Sequence, residues 1–355
     1  MSFSQTFSVF PGEPLTLRPS IVLEHLLSGG HLSQDQAGDV LRLLADEAVS
    51  EALKGSLLAA LRAKGETPDE VRGLALAMRE AAVQVTVPRD RALIDTCGTG
   101  GDGSDSINIS TGTSLLVAAA GEAVVKHGNR SISSQSGSAD VLDHLGLARA
   151  QTPQEAATGL ETFGYTFLFA PAFHPAMKAI LPVRRAMGVR TVFNMLGPLT
   201  NPAQPDIQLL GAFSEDAAEL MAHALAGTSI KRAAVVHGHP GWDEATPSGP
   251  FVRFDVRPDR VSREVVDPTT RYGIPRCSPS DLSGGDAAHN AARLRAIFAG
   301  ERGPQRDAIV LNAALVFELC DRVSDPLQAV ALAEHTIDSG AVTLLLKRMQ
   351  AGSRG

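Results

Sequence analysis

The chain has 355 residues, 44% of them hydrophobic and 20% charged, which excludes wholesale disorder and leaves room for two domains of roughly 150 residues each. Its 32 Lys and Arg stand against 39 Asp and Glu, and the resulting formal charge of −7 argues against nucleic acid or an anionic membrane as a partner. Cys97, Cys277 and Cys320 show no CxxC spacing, no apolar run approaches a membrane span, and the start MSFSQTFSVFPGEP lacks a signal-peptide pattern, so a reducing cytoplasm is expected. From Pro19 to about Ala82 the apolar spacing is helical, through Ile21 to Leu27, Leu41 to Leu44 and Leu57 to Leu61. Ser33 and Thr67-Pro68-Asp69-Glu70 read as helix starts, the second with proline at the first helical position. After Val85 to Pro88 short apolar runs alternate with helical stretches. Strands are expected at Ala92 to Ile94, Ala123 to Val125, Thr166 to Phe169, Ile207 to Leu210 and Ala233 to Val236, with a helix over Ser114 to Ala120. This alternation predicts an α/β fold, a small helical domain followed by a mostly parallel sheet flanked by helices, with ligands at the carboxyl ends of the strands.

Five clusters follow such runs. The first is Asp95-Thr96-Cys97-Gly98-Thr99-Gly100-Gly101-Asp102-Gly103, whose glycines leave main-chain N–H groups open to a phosphate. It also satisfies G-x-G-x-x-G. A dinucleotide fold, however, needs the helix to open at the third glycine and an acidic residue to end the second strand. Here Ser104 to Thr111 intervenes and Glu122 precedes its strand, which leaves a phosphate cradle or a structural glycine turn. The second is Asn108-Ile109-Ser110-Thr111, upstream of a helix: its hydroxyls are either helix caps or ligands for a phosphate or magnesium.

The third runs from Lys126-His127-Gly128-Asn129-Arg130 to Ser136-Gly137-Ser138-Ala139-Asp140, a polar strip after a strand that suits an anion. His127 is expected to be neutral because of the adjacent Lys126 charge. In the fourth, His174 precedes Val183-Arg184-Arg185; a helix between them would aim Arg184 into a cleft, where a guanidinium meets a carboxylate bidentately. The fifth, Asp243-Glu244, is either a surface loop or a pair of hard oxygen ligands bridging magnesium to substrate phosphates. Cys97 reads as small and buried.

Taken together, GTGGDG at Gly98 to Gly103, NIST at Asn108 to Thr111, KHGNR with SGSAD, FHP with VRR, and Asp243-Glu244 occur in the order of one family. The chain resembles the anthranilate phosphoribosyltransferases of tryptophan biosynthesis over roughly residues 20 to 348; FNMLGPLTNPA at Phe193 to Ala203 and GGDAAHNA at Gly284 to Ala291 also look like that family. The resemblance implies an extension over residues 1–18, a helical domain over 19–88 with a returning segment near 178–200, and an α/β domain over 89–355 that binds phosphoribosyl pyrophosphate, with a hinge between the domains and a homodimer formed through the helical one. It implies that Gly98, Thr99, Gly100, Gly101, Asp102, Ser106, Asn108, Ser110, Thr111, Lys126 and Ser138 hold phosphoribosyl pyrophosphate. Gly98, His127, Asn129, His174 and Arg184 then face anthranilate, Ser110, Asp243 and Glu244 hold Mg2+, and Lys126 and Arg184 carry the catalytic roles. Two rivals are a pyrimidine nucleoside phosphorylase-like enzyme and a non-catalytic nucleic-acid-binding paralogue. Asp102, Asn108 to Thr111 and Asp243-Glu244 favour the transferase over the first, and the acidic balance disfavours the second.

Overall fold

The computed structural model describes residues 18–130 and 135–352. The expected N-terminal extension, apart from Arg18, and residues 131–134 of the polar strip lie outside the described residues.

Among the described residues four helices come first: α1 (Pro19–Leu27), α2 (Gln34–Ala45), α3 (Glu51–Lys64) and α4 (Pro68–Glu80). Their starts follow from local chemistry. Ser33 accepts the Gln36 N–H and Gln36 returns the bond, while Thr67 and Glu70 form the same reciprocal box with Pro68 at the first turn. Glu70 does more than cap. Fully buried, it accepts the N–H of Leu32 (2.8 Å), the N–H of Thr67 (2.8 Å) and the Lys64 ammonium (2.7 Å), so one carboxylate ties three segments of the bundle together.

The remainder alternates strand and helix: β1 (Leu93–Gly98), α5 (Ile109–Ala119), β2 (Ala123–Gly128), α6 (Ser138–Leu145), α7 (Pro153–Phe163) and β3 (Tyr165–Phe169) come first. Then follow α8 (Ala170–Phe173), α9 (Met177–Met187), α10 (Phe193–Leu199), β4 (Ile207–Gly211), α11 (Glu215–Ala226), β5 (Arg232–His237), β6 (Phe251–Arg257) and β7 (Arg260–Val266). The chain ends with α12 (Pro268–Tyr272), a 3-10 turn at Pro279–Leu282, α13 (Ala287–Phe298), α14 (Pro304–Leu319), α15 (Pro326–Asp338) and α16 (Ala341–Gly352). Among the described residues the sheet has seven strands in the order β3-β2-β1-β4-β5-β6-β7. The first five are mutually parallel and β6 and β7 close the edge antiparallel, as a mostly parallel sheet requires. The five expected strands are all present. The β6–β7 hairpin was not expected; buried Arg253, paired with Asp255 and Glu318, interrupts the apolar pattern that would have marked it.

Both faces of the sheet are covered, which is why the inner strands read as continuous apolar runs. Side chains alternate between two cores: Leu209, Ala234 and Val236 join α5, α6 and α13 to α16, whereas Leu210, Ala233 and Val235 join α1 to α4, α9, α10 and α11. The opening helices thus share a core with one face of the sheet. The strand order reverses between β1 and β4, so the carboxyl ends of β1, β2, β4 and β5 converge on a topological switch point. Among the described residues no single helix is long and apolar enough to cross a membrane.

Glu70→Ala would leave buried Lys64 without its carboxylate and the Leu32 and Thr67 amides without acceptors. We expect a loss of about 3–5 kcal/mol in urea unfolding. Glu70→Gln keeps one acceptor and is expected to cost less.

Candidate active site

The glycine loop begins later than the sequence suggests. Asp95, Thr96, Cys97 and Gly98 belong to β1 and continue its ladder with Gln208 to Gly211 of β4. A Cβ at Gly98 would lie 2.3 Å from Asp243 Oδ2, so only glycine admits the loop after β5 this closely. Gly100, Gly101 and Gly103 have φ near +70°, a conformation that side chains disfavour. The Gly100 N–H donates to Asp243 Oδ2 (2.6 Å), and Thr99 Oγ1 reaches the same oxygen at 3.5 Å. Asp102 Oδ2 accepts the Asp243 N–H (3.1 Å), which pins the two loops together. Ser106 donates to the Ile107 carbonyl (3.1 Å) and pairs with Ser283 across an isolated bridge.

Helix α5 starts at Ile109, five residues before the expected Ser114. Its Ile-Ser-Thr-Gly-Thr start has poor helix propensity, but tertiary packing overrides this, with Gly112 seated against Ile309 and Leu294. The capping alternative is not realised: Asn108 occupies the N-cap position without a side-chain cap, and Ser110 and Thr111 lie inside the first turn. The Ser110 N–H instead donates to Glu244 Oε1 (3.0 Å), a carboxylate at the positive end of the helix. Thr111 is fully buried, and its hydroxyl has no partner among the described residues.

Lys126 and His127 are the last buried positions of β2. Lys126 is 1% exposed; its ammonium donates to the Thr96 carbonyl and approaches Ser110 Oγ at 3.4 Å, which places it between β1 and α5. Asn129 and Arg130 are exposed, and Arg130 is taken up by Asp140 and Asp143 of α6. Ser138, the first residue of α6, donates to the Asn129 carbonyl (3.2 Å). His127 and His174 meet with Nε2 atoms 3.2 Å apart, both buried. His127 is neutral as expected, but for a different main reason: burial, ahead of His174 and Lys126, depresses it to about 3. Cys97 is half-buried, and desolvation pushes its thiol up to about 12, so it is inert.

Arg184 sits on α9, half-buried, 5.4 Å over the Phe193 ring, with no ion pair among the described residues. The same helix α10 touches both groups: Phe193 lies under Arg184, and the backbone of Gly197, one helical turn on, meets His127.

Asp243 and Glu244 are both raised above the carboxylate range, first by burial and then by nearby acids: Asp102 for Asp243, and Asp243 for Glu244. Crowded carboxylates of this kind suit a divalent cation. Among the described residues no group of three or more His, Cys, Asp or Glu forms a closed cage. This donor set fits magnesium, which takes one or two carboxylates and completes its shell with water and substrate phosphates.

Sequence reasoning assigned no role to four residues around this site. Asp95 is buried beneath it, Asn201 bonds Asp95, Asn290 bonds Asn108, and Arg190 donates to the Gly101 carbonyl while stacking 4.3 Å over Phe213. Asn201 and Asn290 lie in the family-like stretches FNMLGPLTNPA and GGDAAHNA, which were the available signal.

Residues 20–82 match the family model for a glycosyl transferase helical bundle domain, and residues 90–343 match that for a glycosyl transferase a/b domain. The chain is 45% identical over 327 residues to an anthranilate phosphoribosyltransferase of Desulforudis audaxviator, covering 92% of this chain and 94% of that protein. It is similar to the crystal structure of anthranilate phosphoribosyltransferase from Thermus thermophilus, with a TM-score of 0.88 at 40% identity over 94% of this chain and 99% of that one. A Saccharomyces cerevisiae anthranilate phosphoribosyltransferase in complex with PRPP and Mg shares the fold, with a TM-score of 0.84 at 24% identity over 95% of this chain and 98% of that one. Relatedness at this level over nine-tenths of the chain, on a matching fold, leaves one assignment: the chain belongs to the anthranilate phosphoribosyltransferases, transferases of tryptophan biosynthesis.

Proposed function

We propose that this chain transfers the phosphoribosyl group of phosphoribosyl pyrophosphate to the amine of anthranilate, releasing pyrophosphate, in the cytoplasm. One observation carries the reading. The N–H groups of Gly100 and Ser110, donors of the kind a phosphate needs, stand against the magnesium-type carboxylates Asp243 and Glu244, with buried Lys126 beside Ser110. In this reading Gly98 to Asp102, Ser106, Asn108, Ser110, Thr111, Lys126 and Ser138 hold the phosphoribosyl pyrophosphate. Asp243 and Glu244, with Ser110, hold Mg2+, which when bound supplies Lewis-acid neutralisation of the departing pyrophosphate.

As the C1–O bond to pyrophosphate breaks, negative charge grows on the leaving oxygen, and the loop N–H groups and the Lys126 ammonium offset it. The anthranilate nitrogen forms the new bond to C1 and then loses a proton. An aryl amine is neutral at pH 7, so positioning matters more than a strong base. In this reading Arg184, a half-buried guanidinium without an ion pair among the described residues, meets the anthranilate carboxylate, and Asn129 and the buried His127–His174 pair are assigned to the same substrate. By the same reading the chain forms a homodimer through its helical domain.

The direct test follows the fluorescence of anthranilate with purified protein, phosphoribosyl pyrophosphate and Mg2+. Signal is expected to fall only when all components are present and to persist in chelator; a persistent signal with everything present would overturn the assignment. Arg184→Ala is expected to raise the anthranilate KM about tenfold or more with little change for phosphoribosyl pyrophosphate. Equal losses for both substrates would remove Arg184 from the carboxylate. The histidine pair gives a pH prediction. His127 and His174, ordinarily near 6.5, are lowered to about 3 and about 4 in the folded chain. Their contribution is therefore complete above pH 6.5 and is lost as pH falls through about 4 for His174 and about 3 for His127, because between those values only the unfolded chain takes up the protons. The slope is about 1.4 kcal/mol per pH unit for each histidine. Urea unfolding at pH 7 and pH 5 is expected to show a smaller loss for His174→Gln than for the unsubstituted chain.

A further inference from the structure

The stretch Gly284 to Ala291 takes no part in the roles above, yet it reaches the site through a chain of hydrogen bonds. The Gly285 N–H donates to Asn290 Oδ1 (2.9 Å). Asn290 Nδ2 donates to Asn108 Oδ1 (2.8 Å), and Asn108 Nδ2 donates to the Ser136 carbonyl (3.2 Å). The direction of this chain is determined at both ends. It starts on a backbone N–H, which can only donate, and ends on a backbone carbonyl, which can only accept. Neither amide can flip without setting donor against donor or acceptor against acceptor. Asn290 is 1% exposed, and its seat is tight: a Cβ at Gly284 would lie 2.7 Å from both Asn290 Oδ1 and the Ser106 carbonyl. The same turn is bound to the segment before α5, with Gly284 N–H to the Asp105 carbonyl (2.8 Å) and Ile107 N–H to the Leu282 carbonyl (3.1 Å).

We propose that Asn290 is a positioning residue for phosphoribosyl pyrophosphate: by occupying the carbonyl of the Asn108 amide, it turns the NH2 group of Asn108 towards Ser136 and keeps it a donor at the phosphoribosyl site. An amide presents either an acceptor or donors to a ligand, and an ionised phosphate, which only accepts, takes the donor face. Asn108 makes no side-chain cap of α5; its Oδ1 also accepts from Ser136 Oγ (3.4 Å), one Nδ2 hydrogen goes to the Ser136 carbonyl, and the second Nδ2 hydrogen is the one it can offer a ligand. The inference rests on the reading of Asn108 as a contact of the phosphoribosyl substrate.

Two variants separate its elements. Asn290→Asp keeps the shape and the acceptor for Gly285 but has no donor for Asn108; Asn290→Ala removes the donor without adding charge. Calorimetric binding of phosphoribosyl pyrophosphate with Mg2+ and steady-state rates are measured for both, with melting temperatures as the check on folding. Affinity is expected to fall about tenfold in each, the size of one lost hydrogen bond, with the anthranilate KM within about twofold of the unsubstituted chain. In an Asn108→Ala background the Asn290 substitutions are expected to add nothing further, because they act through the missing amide. Weakened binding in the Asp variant alone would assign the effect to charge and overturn the proposal, as would equal losses for both substrates or full additivity with Asn108→Ala. If the unsubstituted chain itself fails to bind phosphoribosyl pyrophosphate, the substrate reading falls and takes this inference with it; binding that is unchanged by both variants overturns the inference alone.

Discussion

At the centre of the sheet a carboxylate is sealed away from water, and the layout of the site depends on how it is satisfied. Asp95 is fully buried on β1; it accepts the Asn201 amide (2.9 Å) and the His127 N–H (3.2 Å), while the same Asn201 amide holds the Val125 carbonyl (2.7 Å). Burial raises the Asp95 carboxyl, and Lys126 is the largest influence opposing it. A buried charge without such partners costs several kcal/mol, so β1, the end of β2 and the turn before β4 are obliged to meet in one arrangement. That arrangement carries the ammonium of Lys126 and the ring of His127 to the carboxyl edge of the sheet.

Around this anchor the site is built from backbone donors more than from reactive side chains. Gly100 and Ser110 offer N–H groups, one from a left-handed turn and one from a helix start, and each is satisfied by a carboxylate from the loop after β5. Clustering Asp102, Asp243 and Glu244 would be unfavourable in isolation; helix and loop dipoles together with the nearby Lys126 offset it. Donors and carboxylates in this arrangement suit charge stabilisation better than proton transfer, which agrees with a neutral histidine pair and a thiol held protonated. Fold and chemistry are linked here, because parallel strands present all their carboxyl ends on one edge.

The opening helices are less separate from this edge than a bundle with its own core would be. They share apolar contacts with α9, α10, α11 and one face of the sheet. The segment between α9 and α10 also touches the glycine loop directly, since Arg190 donates to the Gly101 carbonyl while its own carbonyl accepts from Arg62 of α3. One arginine thus joins α3 of the bundle to the glycine loop.

The sequence by itself determined what depends on short-range chemistry. Helix starts at Ser33 and Thr67 were legible because caps act over three residues, and the five inner strands because burial on both faces demands unbroken apolar runs. The five motifs were legible because phosphate, magnesium and carboxylate each require characteristic residue types. Where propensity and packing disagreed, only the tertiary structure decided: α5 begins at Ile109 because Gly112 fits against α13 and α14, and β6 is a strand although Arg253 breaks its pattern. The partners of buried polar groups were likewise invisible, since Asp95 and Asn201 stand 106 positions apart and Asn108 and Asn290 stand 182 apart. A hydrogen bond depends on distances of about 3 Å in space, and separation along a chain carries no record of those distances until the chain has folded.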